Sequence, residues 1–394
     1  MERESKMNPC QADRLDQLPP YLFVKIDQAK RTAIDAGRDV IDFGIGDPDQ
    51  PTPGFIIDRM AEAIRKPAHH RYAQSVGNIE FRTAVAEWFQ RRFGIRLDPQ
   101  REVASVIGTK EGIGHLPTAV VNPGEIVLVP EPGYPVYRSG TIFAGGQCHT
   151  MALKSENNWL PRFGEIPPDV RRGAKLMFLN YPNNPTGTCA PLSFLEEAVS
   201  FAREHHILIA HDAAYSEAYF GDAPPSILQI DGAKDVCIEF HSLSKTFNMT
   251  GWRVGFVVGN PDAVAALVKV KNNLDSGVFG AIQEAAIAAI GGIDRPEIRE
   301  QVSIYRRRRD ILVDGLRRAG WSVTPPAGTF YVWAKCPPGQ GSMATATRIL
   351  EETGVVVIPG LGFGPGGEGY IRFALTVPEA RTREAVERIA KVRW

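Results

Sequence analysis

Lys245 lies among small hydroxyl residues in the run Ser242-Leu243-Ser244-Lys245, just past an apolar segment typical of a buried strand, Val236 to Phe240. A lysine amine is a nucleophile that condenses with an aldehyde. The two serine hydroxyls, with the guanidinium of Arg253 eight residues after the lysine, could hold a phosphate close by. An aldehyde, a phosphate and a lysine together indicate the cofactor pyridoxal phosphate.

Asp212 follows a second apolar segment, Ile207–Ala210, and Tyr215 lies three residues further on. Pyridoxal phosphate chemistry needs an anion beside the pyridine nitrogen, and a desolvated aspartate beside a cation could supply it. The hydroxyl of Tyr215 could donate to the phenolic oxygen of the ring. A helix N-cap is the alternative role of Asp212. The presence of Lys245 favours the cofactor role.

Two polar turns also follow apolar segments. Gly108-Thr109-Lys110-Glu111-Gly112 opens a helical pattern, and backbone N–H groups at the start of a helix bind phosphate well. Asn184 stands in Asn184-Pro185-Thr186-Gly187, directly after the segment Leu176–Leu179 and its polar continuation. By composition alone each of these segments is also compatible with an ordinary turn.

Short apolar runs alternate with amphipathic patterns through the middle of the chain. The runs that predict strands are Val103–Ile107, Ile126–Val129, Leu176–Leu179, Ile207–Ala210, Val236–Phe240 and Val254–Val258. This alternation is typical of an α/β domain with a mostly parallel sheet, whose ligands bind at the C-terminal ends of the strands. The polar residues described above nearly all fall at those ends.

The pattern changes after about residue 292. Pro296 to Arg318 predicts a long charged helix, in which the run Arg306 to Arg309 is expected to be solvated. Short strands are predicted at Phe330–Trp333, Val355–Ile358 and Tyr370–Leu375. We therefore expect a large cofactor-binding domain over residues 47–295 and a smaller α+β domain made of residues 1–46 and 296–394.

Together these motifs resemble the class I/II aminotransferases, a family of fold type I pyridoxal phosphate enzymes whose signature is Ser-x-Ser-Lys followed by Gly-x-Arg-x-Gly. The resemblance runs from Leu18 to the C-terminus. It implies that Lys245 bears the cofactor and acts as nucleophile and then as general acid/base. It also implies that Asn184 bonds the phenolic oxygen and the substrate carboxylate, and that Tyr134 stacks on the pyridine ring.

Arg372 lies in the middle of the apolar segment Tyr370–Leu375, where an unpaired arginine is costly. The family resemblance implies that it grips the α-carboxylate of the substrate, and a structural salt bridge is the alternative. Tyr72 matches a tyrosine that reaches the phosphate of a neighbouring subunit, which implies a homodimer with shared sites. Tyr21 and Gly46 match segments that close over the substrate.

The predicted site therefore has two sets of residues. The cofactor-binding set is Tyr72, Thr109, Lys110, Tyr134, Asn184, Asp212, Tyr215, Ser242, Ser244, Lys245 and Arg253. The substrate-binding set is Tyr21, Gly46, Lys110, Tyr134, Asn184, Ser276 and Arg372.

Four stretches, Leu18 to Phe23, Gly44 to Asp49, Phe240 to Gly255 and Asp275 to Phe279, resemble one subfamily, the LL-diaminopimelate aminotransferases. This resemblance implies transfer of an amino group between diaminopimelate and 2-oxoglutarate in lysine biosynthesis. Aspartate and alanine aminotransferases are alternatives. The segment Asn272 to Gln283 contains no arginine, whereas aspartate aminotransferases commonly supply one from the partner subunit. A pyridoxal phosphate-dependent C–S lyase or a cofactor-bearing transcription regulator is a more distant alternative.

The amino-acid composition indicates which classes of partner and which cell compartment to expect. The 394 residues include 45 basic and 45 acidic side chains, and this balance favours neither nucleic acid nor a membrane surface. The stretch Met1 to Asp13 has no apolar core of the kind found in signal peptides. Five scattered cysteines fit free thiols, and no histidine has metal-ligand spacing. We therefore expect a cytoplasmic enzyme without a metal.

Overall fold

Strands and helices alternate through the middle of the chain in the computed structural model, which describes residues 11–18 and 22–394. The strands are β1 (Ile41–Asp42), β2 (Val103–Val106), β3 (Ile126–Glu131), β4 (Gln147–Ala152), β5 (Ala174–Asn180), β6 (Leu208–Asp212), β7 (Cys237–Ser242), β8 (Gly255–Gly259), β9 (Tyr331–Lys335), β10 (Val355–Val356), β11 (Ile358–Pro359) and β12 (Tyr370–Ala374). The α-helices are α1 (Leu22–Asp35), α2 (Gly54–Ala63), α3 (Ile79–Phe93), α4 (Thr109–Val120), α5 (Val136–Phe143), α6 (Pro168–Gly173), α7 (Leu192–His205), α8 (Ala233–Val236), α9 (Leu243–Thr246), α10 (Pro261–Leu274), α11 (Gly280–Gly291), α12 (Pro296–Arg318), α13 (Ser342–Thr353) and α14 (Glu379–Ile389).

The largest sheet has seven strands in the order β2-β8-β7-β6-β5-β3-β4. Strand β8 runs antiparallel to both of its neighbours, and the remaining pairs are parallel. The six apolar runs of the sequence correspond to β2, β3, β5, β6, β7 and β8, which confirms the α/β fold. The sequence did not predict β4, because this edge strand is polar and only Met151 among its residues is buried.

Helices cover both faces of this sheet. Helices α4, α5 and α10 pack on one face, where Leu116 and Tyr137 contribute to the core, and α3, α7 and α11 pack on the other. Strands β7 and β8 are consequently buried at every residue, and β5 at all but Lys175. Burial on both faces explains why these strands appear in the sequence as continuous apolar runs rather than as an alternating pattern.

The C-terminal ends of β5, β6 and β7 meet at one edge of the sheet. Asn180 is in register with Asp212, and Asp212 with Phe240. Helix α9, which carries Lys245, begins directly after β7. This edge is where ligands of α/β proteins bind, so the topology collects the polar turns there.

A second core contains the small sheets. Strands β11, β12 and β9 form an antiparallel sheet, and β1 pairs with β10, Ile41 lying opposite Val355. Helices α12 and α14 pack against these strands through residues such as Leu312 and Ile389. Helix α12 has the predicted bounds. None of the helices in the described part of the chain combines the length and apolarity that crossing a bilayer requires.

The prediction that the run Arg306 to Arg309 is solvated is wrong for Arg308, which is 4% exposed. Its guanidinium donates to both carboxylate oxygens of Asp49, at 2.7 and 2.8 Å, and to the carbonyl of Leu375 at 3.0 Å. This fork ties α12 and the end of β12 to the segment that leads from Gly46 to Asp49. The charge pattern could not reveal it, because the partner lies more than 250 residues away.

We expect Arg308→Ala to destabilise the protein by about 1–3 kcal/mol, because the partly buried carboxylate of Asp49 would lose its charge-assisted hydrogen bonds. Chemical denaturation of the purified protein measures this change. The control is Arg307→Ala, since Arg307 forms its ion pairs on the surface. Equal stability of the two variants would contradict the structural role of Arg308.

Candidate active site

Lys245 lies in the one-turn helix α9, and its amine points to a loop from the other end of the chain. Nζ donates to the carbonyl of Gly46 at 3.1 Å and lies 5.5 Å from the ring centre of Phe330. Burial lowers the pKa of Lys245, and the positive charges of Arg253 and Arg372 act in the same direction. The neutral amine, which is the nucleophilic form, is therefore favoured.

Gly46 and Tyr331 complete the wall around this amine. A Cβ at Gly46 would overlap the hydroxyl of Tyr331, so the close approach of the loop requires glycine. The Tyr331 hydroxyl also lies 3.2 Å from the hydroxyl of Tyr215. The sequence analysis did not select Tyr331, because the apolar run in which it lies reads only as a strand.

Asp212 is buried at the end of β6. Its carboxylate accepts from the hydroxyl of Tyr137 at 2.8 Å and from the backbone N–H of Ala214 at 3.2 Å, and both donors are neutral. Desolvation raises the pKa of Asp212, although these hydrogen bonds oppose the rise. A cation beside this carboxylate, such as a protonated pyridine nitrogen, would stabilise its charge.

Tyr137 is a second residue that the sequence analysis did not select. Its ring is buried and stacks on Phe178, while its hydroxyl holds Asp212. Tyr134, which was predicted to stack on the cofactor, lies one turn earlier, with its ring centre 6.0 Å from that of Tyr137. Tyr134 precedes α5 and Tyr137 lies within it, so no helical spacing in the sequence links the two rings.

Arg372 is buried in the middle of β12, and its guanidinium reaches the large sheet. One nitrogen donates to the side-chain oxygen of Asn184 at 3.1 Å and another to the carbonyl of Gly44 at 2.9 Å. The guanidinium carbon lies 4.1 Å from the ring centre of Tyr331. Arg372 therefore joins the Asn184 turn, the loop before Gly46 and the small antiparallel sheet at one point.

The turn that opens α4 has the features of an anion site. Gly108 has a φ of +73°, and a Cβ there would overlap the guanidinium of Arg253. Arg253 donates to the carbonyls of Thr250 and Ile107 at 2.9 and 3.4 Å, which keeps its charge beside the turn. Free N–H groups at the start of a 12-residue helix and an adjacent guanidinium suit a phosphate.

The remaining predicted residues lie at varied positions. Ser242 and Ser244 are buried at the start of α9, where the Ser242 hydroxyl accepts from the backbone N–H of Ser244 at 3.2 Å. Tyr72 is 93% exposed, and Lys110 and Ser276 are exposed as well. Tyr21 lies outside the described residues.

Comparison with known proteins gives one consistent answer. The family profile of aminotransferase class I and II matches residues 38–389. The chain belongs to the class I and II aminotransferases.

The relatives match over almost the whole chain. An LL-diaminopimelate aminotransferase of Nitratidesulfovibrio vulgaris (strain Hildenborough) is 55% identical over 97% of this chain and 98% of its own length. The enzyme of the same name from Aquifex aeolicus is 51% identical over 97% and 99%. Among solved structures, substrate-bound BacF from Bacillus subtilis superposes with a TM-score of 0.94 at 38% identity, covering 98% of each chain.

As a member of this family, the protein is an aminotransferase, and its cofactor is pyridoxal phosphate. The residues at the sheet edge fit this cofactor. The site offers an amine of lowered pKa at Lys245, a buried carboxylate with neutral donors at Asp212 and a helix-opening turn at Gly108 that suits an anion.

The lowered pKa of Lys245 predicts a pH-dependent effect of Lys245→Met on the cofactor-free protein. Unfolded lysine is protonated up to a pKa of about 10.4, whereas the folded site disfavours the proton. At neutral pH this difference therefore lowers the free energy of unfolding of the wild-type protein. The lowering becomes smaller as the pH rises. Lys245→Met avoids this loss, so its stability advantage should be largest near neutral pH and should shrink toward pH about 10.

Denaturant unfolding of both proteins across this pH range measures the difference. Lys269→Met, at an exposed position of α10, is the matched control and should show no such trend. A stability advantage of Lys245→Met that grows with pH would contradict the lowered pKa.

Proposed function

We propose that this protein transfers the amino group of LL-diaminopimelate to 2-oxoglutarate in lysine biosynthesis. The observation that carries the proposal is identity of 51–55% over 97% of the chain with aminotransferases that bear this name. The arginine-free segment Asn272 to Gln283 supports it, since a distal pocket for both an ammonium and a carboxylate needs adaptable polar groups rather than one fixed arginine.

The cofactor supplies an aldehyde carbon and an electron-withdrawing ring when it is bound. In our proposal Asp212 holds the proton on its ring nitrogen, while the hydroxyl of Tyr137 fixes the carboxylate in place. Tyr215 and Asn184 would bind its phenolic oxygen, and Tyr134 would stack on its ring. Its phosphate would be held by Ser242, Ser244, Arg253, the backbone N–H groups of Thr109 and Lys110, and Tyr72 of the partner subunit.

Lys245 performs the proton transfer in this proposal. Its amine, whose pKa burial lowers, accepts the proton that leaves the substrate Cα. The Gly46 carbonyl accepts a hydrogen bond from Nζ and so fixes the direction of the amine. Because Gly46 belongs to a loop tied to α12 through Asp49 and Arg308, the position of the base depends on that ion pair.

Arg372 and Asn184 bind the α-carboxylate of every substrate in this proposal. The guanidinium is held by Asn184 and Gly44 before the substrate arrives, so little side-chain entropy is lost on binding. For the distal end of diaminopimelate, Tyr21, Lys110 and Ser276 are our candidates. Lys110 and Ser276 are exposed polar residues near the turn and the loop that border the site.

An aspartate or alanine aminotransferase is the second candidate. A Thermus thermophilus aspartate aminotransferase variant superposes with a TM-score of 0.92 at 28% identity, over 97% of this chain and 99% of its own. A C–S lyase would share the lysine and the fold. It would release ammonia and pyruvate instead of transferring the amine, so analysis of the products separates the two activities.

We further propose a homodimer with shared sites, a cytoplasmic location, and two domains formed by residues 47–295 and by 1–46 with 296–394. The exposed ring of Tyr72 supports the dimer, because a tyrosine left in solvent by its own chain is free to reach a partner. The two separate hydrophobic cores support the division into domains. A mass of one chain in analytical ultracentrifugation would contradict the dimer. Activity in the membrane fraction of a cell extract would contradict the cytoplasmic location. Limited proteolysis that cuts within either unit would contradict the division into domains.

The values of kcat/KM across amino donors with 2-oxoglutarate as acceptor test the substrate. We expect LL-diaminopimelate to be used far better than aspartate, alanine or an aromatic amino acid.

Ser276→Ala should lower kcat/KM for diaminopimelate by about threefold or more, since one polar contact to the distal end is lost, with a smaller effect on kcat/KM for glutamate. The control Asn272→Ala changes a neighbouring exposed residue. A preference for aspartate or alanine would retain the aminotransferase and reject diaminopimelate.

A further inference from the structure

Lys271 is a fully buried lysine in the last turn of α10. Its ammonium lies between two carboxylates, 3.1 Å from Oε2 of Glu111 and 3.0 Å from Oδ2 of Asp275. A buried charge is costly unless it is paired, so both contacts are needed to keep the ammonium in this position.

Glu111 connects Lys271 to the anion-binding turn. It lies in the first turn of α4, and its Oε2 also accepts from the backbone N–H of Ile107 at 2.8 Å. Its other oxygen lies 2.8 Å from Nδ1 of His115. The carboxylate of Glu111 therefore contacts Ile107, before Gly108 in the sequence, and His115, after it. A shift of this carboxylate would move the backbone N–H groups of the turn that face a phosphate.

Asp275 connects Lys271 to two exposed loops. Its Oδ1 accepts from the backbone N–H of Gly277 at 2.8 Å, which shapes the loop that carries Ser276. Its carbonyl accepts from the hydroxyl of Ser75 at 3.4 Å, and Ser75 belongs to the segment that carries Tyr72. One ammonium thus lies between the phosphate turn and both loops.

We propose that Lys271 is a positioning residue, whose ammonium holds the cofactor-phosphate turn and the loops that carry Tyr72 and Ser276 in fixed relative positions. This proposal rests on the proposed function. Without the ammonium, Glu111 and Asp275 would repel each other and move the turn and the loop apart. Ligand atoms of Glu111, His115 and Asp275 lie within 4.8 Å of one another. This is a donor set suited to Zn²⁺, in a region where the lysine already supplies the positive charge.

The first test compares affinities for pyridoxal phosphate and for pyridoxal, which lacks the phosphate. In Lys271→Ala we expect the affinity for pyridoxal phosphate to fall about tenfold, since the phosphate turn is displaced. The affinity for pyridoxal should change little, because Lys245 and Asp212 do not contact this network. Lys269→Ala, two residues earlier and exposed, is the control.

The second test uses the cofactor-free protein and the metal alone. Removal of the lysine side chain leaves space between the two carboxylates, so we expect Zn²⁺ to raise the melting temperature of Lys271→Ala and to restore its affinity for pyridoxal phosphate. Wild type and Lys269→Ala should not respond. A merely structural loss of packing would not be repaired by a cation.

Glu111→Gln provides a second variant that removes the negative charge from the same contact while keeping the side-chain volume. It decides the first test if Lys271→Ala does not fold. An equal loss of affinity for pyridoxal phosphate and for pyridoxal, or no loss of either, would overturn the proposal. A folded Lys271→Ala whose melting temperature does not change with Zn²⁺ would overturn it as well. If wild type itself fails to bind pyridoxal phosphate at the Gly108 turn, the proposed site is wrong, and the Zn²⁺ response still reports on the role of Lys271 as a cation.

Discussion

Burial of the Lys245 amine is the constraint on which the rest of the site depends. Burial lowers the pKa of this amine, which nevertheless needs a hydrogen-bond acceptor that fixes its direction. The Gly46 carbonyl is that acceptor, and it comes from a loop nearly 200 residues away in the sequence. The large sheet supplies the lysine, whereas the loop is held through Asp49 by a helix that packs on the small sheets. Two hydrophobic cores are therefore required to position one amine.

Two neutral donors hold the carboxylate of Asp212, which accepts from the hydroxyl of Tyr137 and from a backbone N–H. The contacts of Arg372 include an amide oxygen and a backbone carbonyl. Neutral partners fix the geometry of these groups without cancelling their charges. A cationic ring nitrogen and an anionic carboxylate can therefore still form strong interactions with them. The Lys271 network is different, because there one ammonium is paired directly with two carboxylates and holds loops in place.

Local sequence was sufficient where one short segment contains both a strand and its functional turn. The strand before Lys245, the strand before Asp212 and the turn at Gly108 could all be predicted, because burial on both faces produces an uninterrupted apolar run. Tyr331 and Arg308 could not be found in this way. Their roles depend on contacts with Gly46 and Asp49, which only the tertiary structure brings near. Strand β4 was missed because an edge strand buries too little to leave an apolar pattern.

The direct test of the central claim is to locate the cofactor on the chain. The purified protein would be reduced with borohydride, digested and examined by peptide mass spectrometry. We expect one pyridoxyl group, on the peptide that contains Lys245, because this lysine combines burial with a lowered pKa at the sheet edge. A pyridoxyl group on Lys110 or Lys271 instead, with Lys245 unmodified, would contradict it.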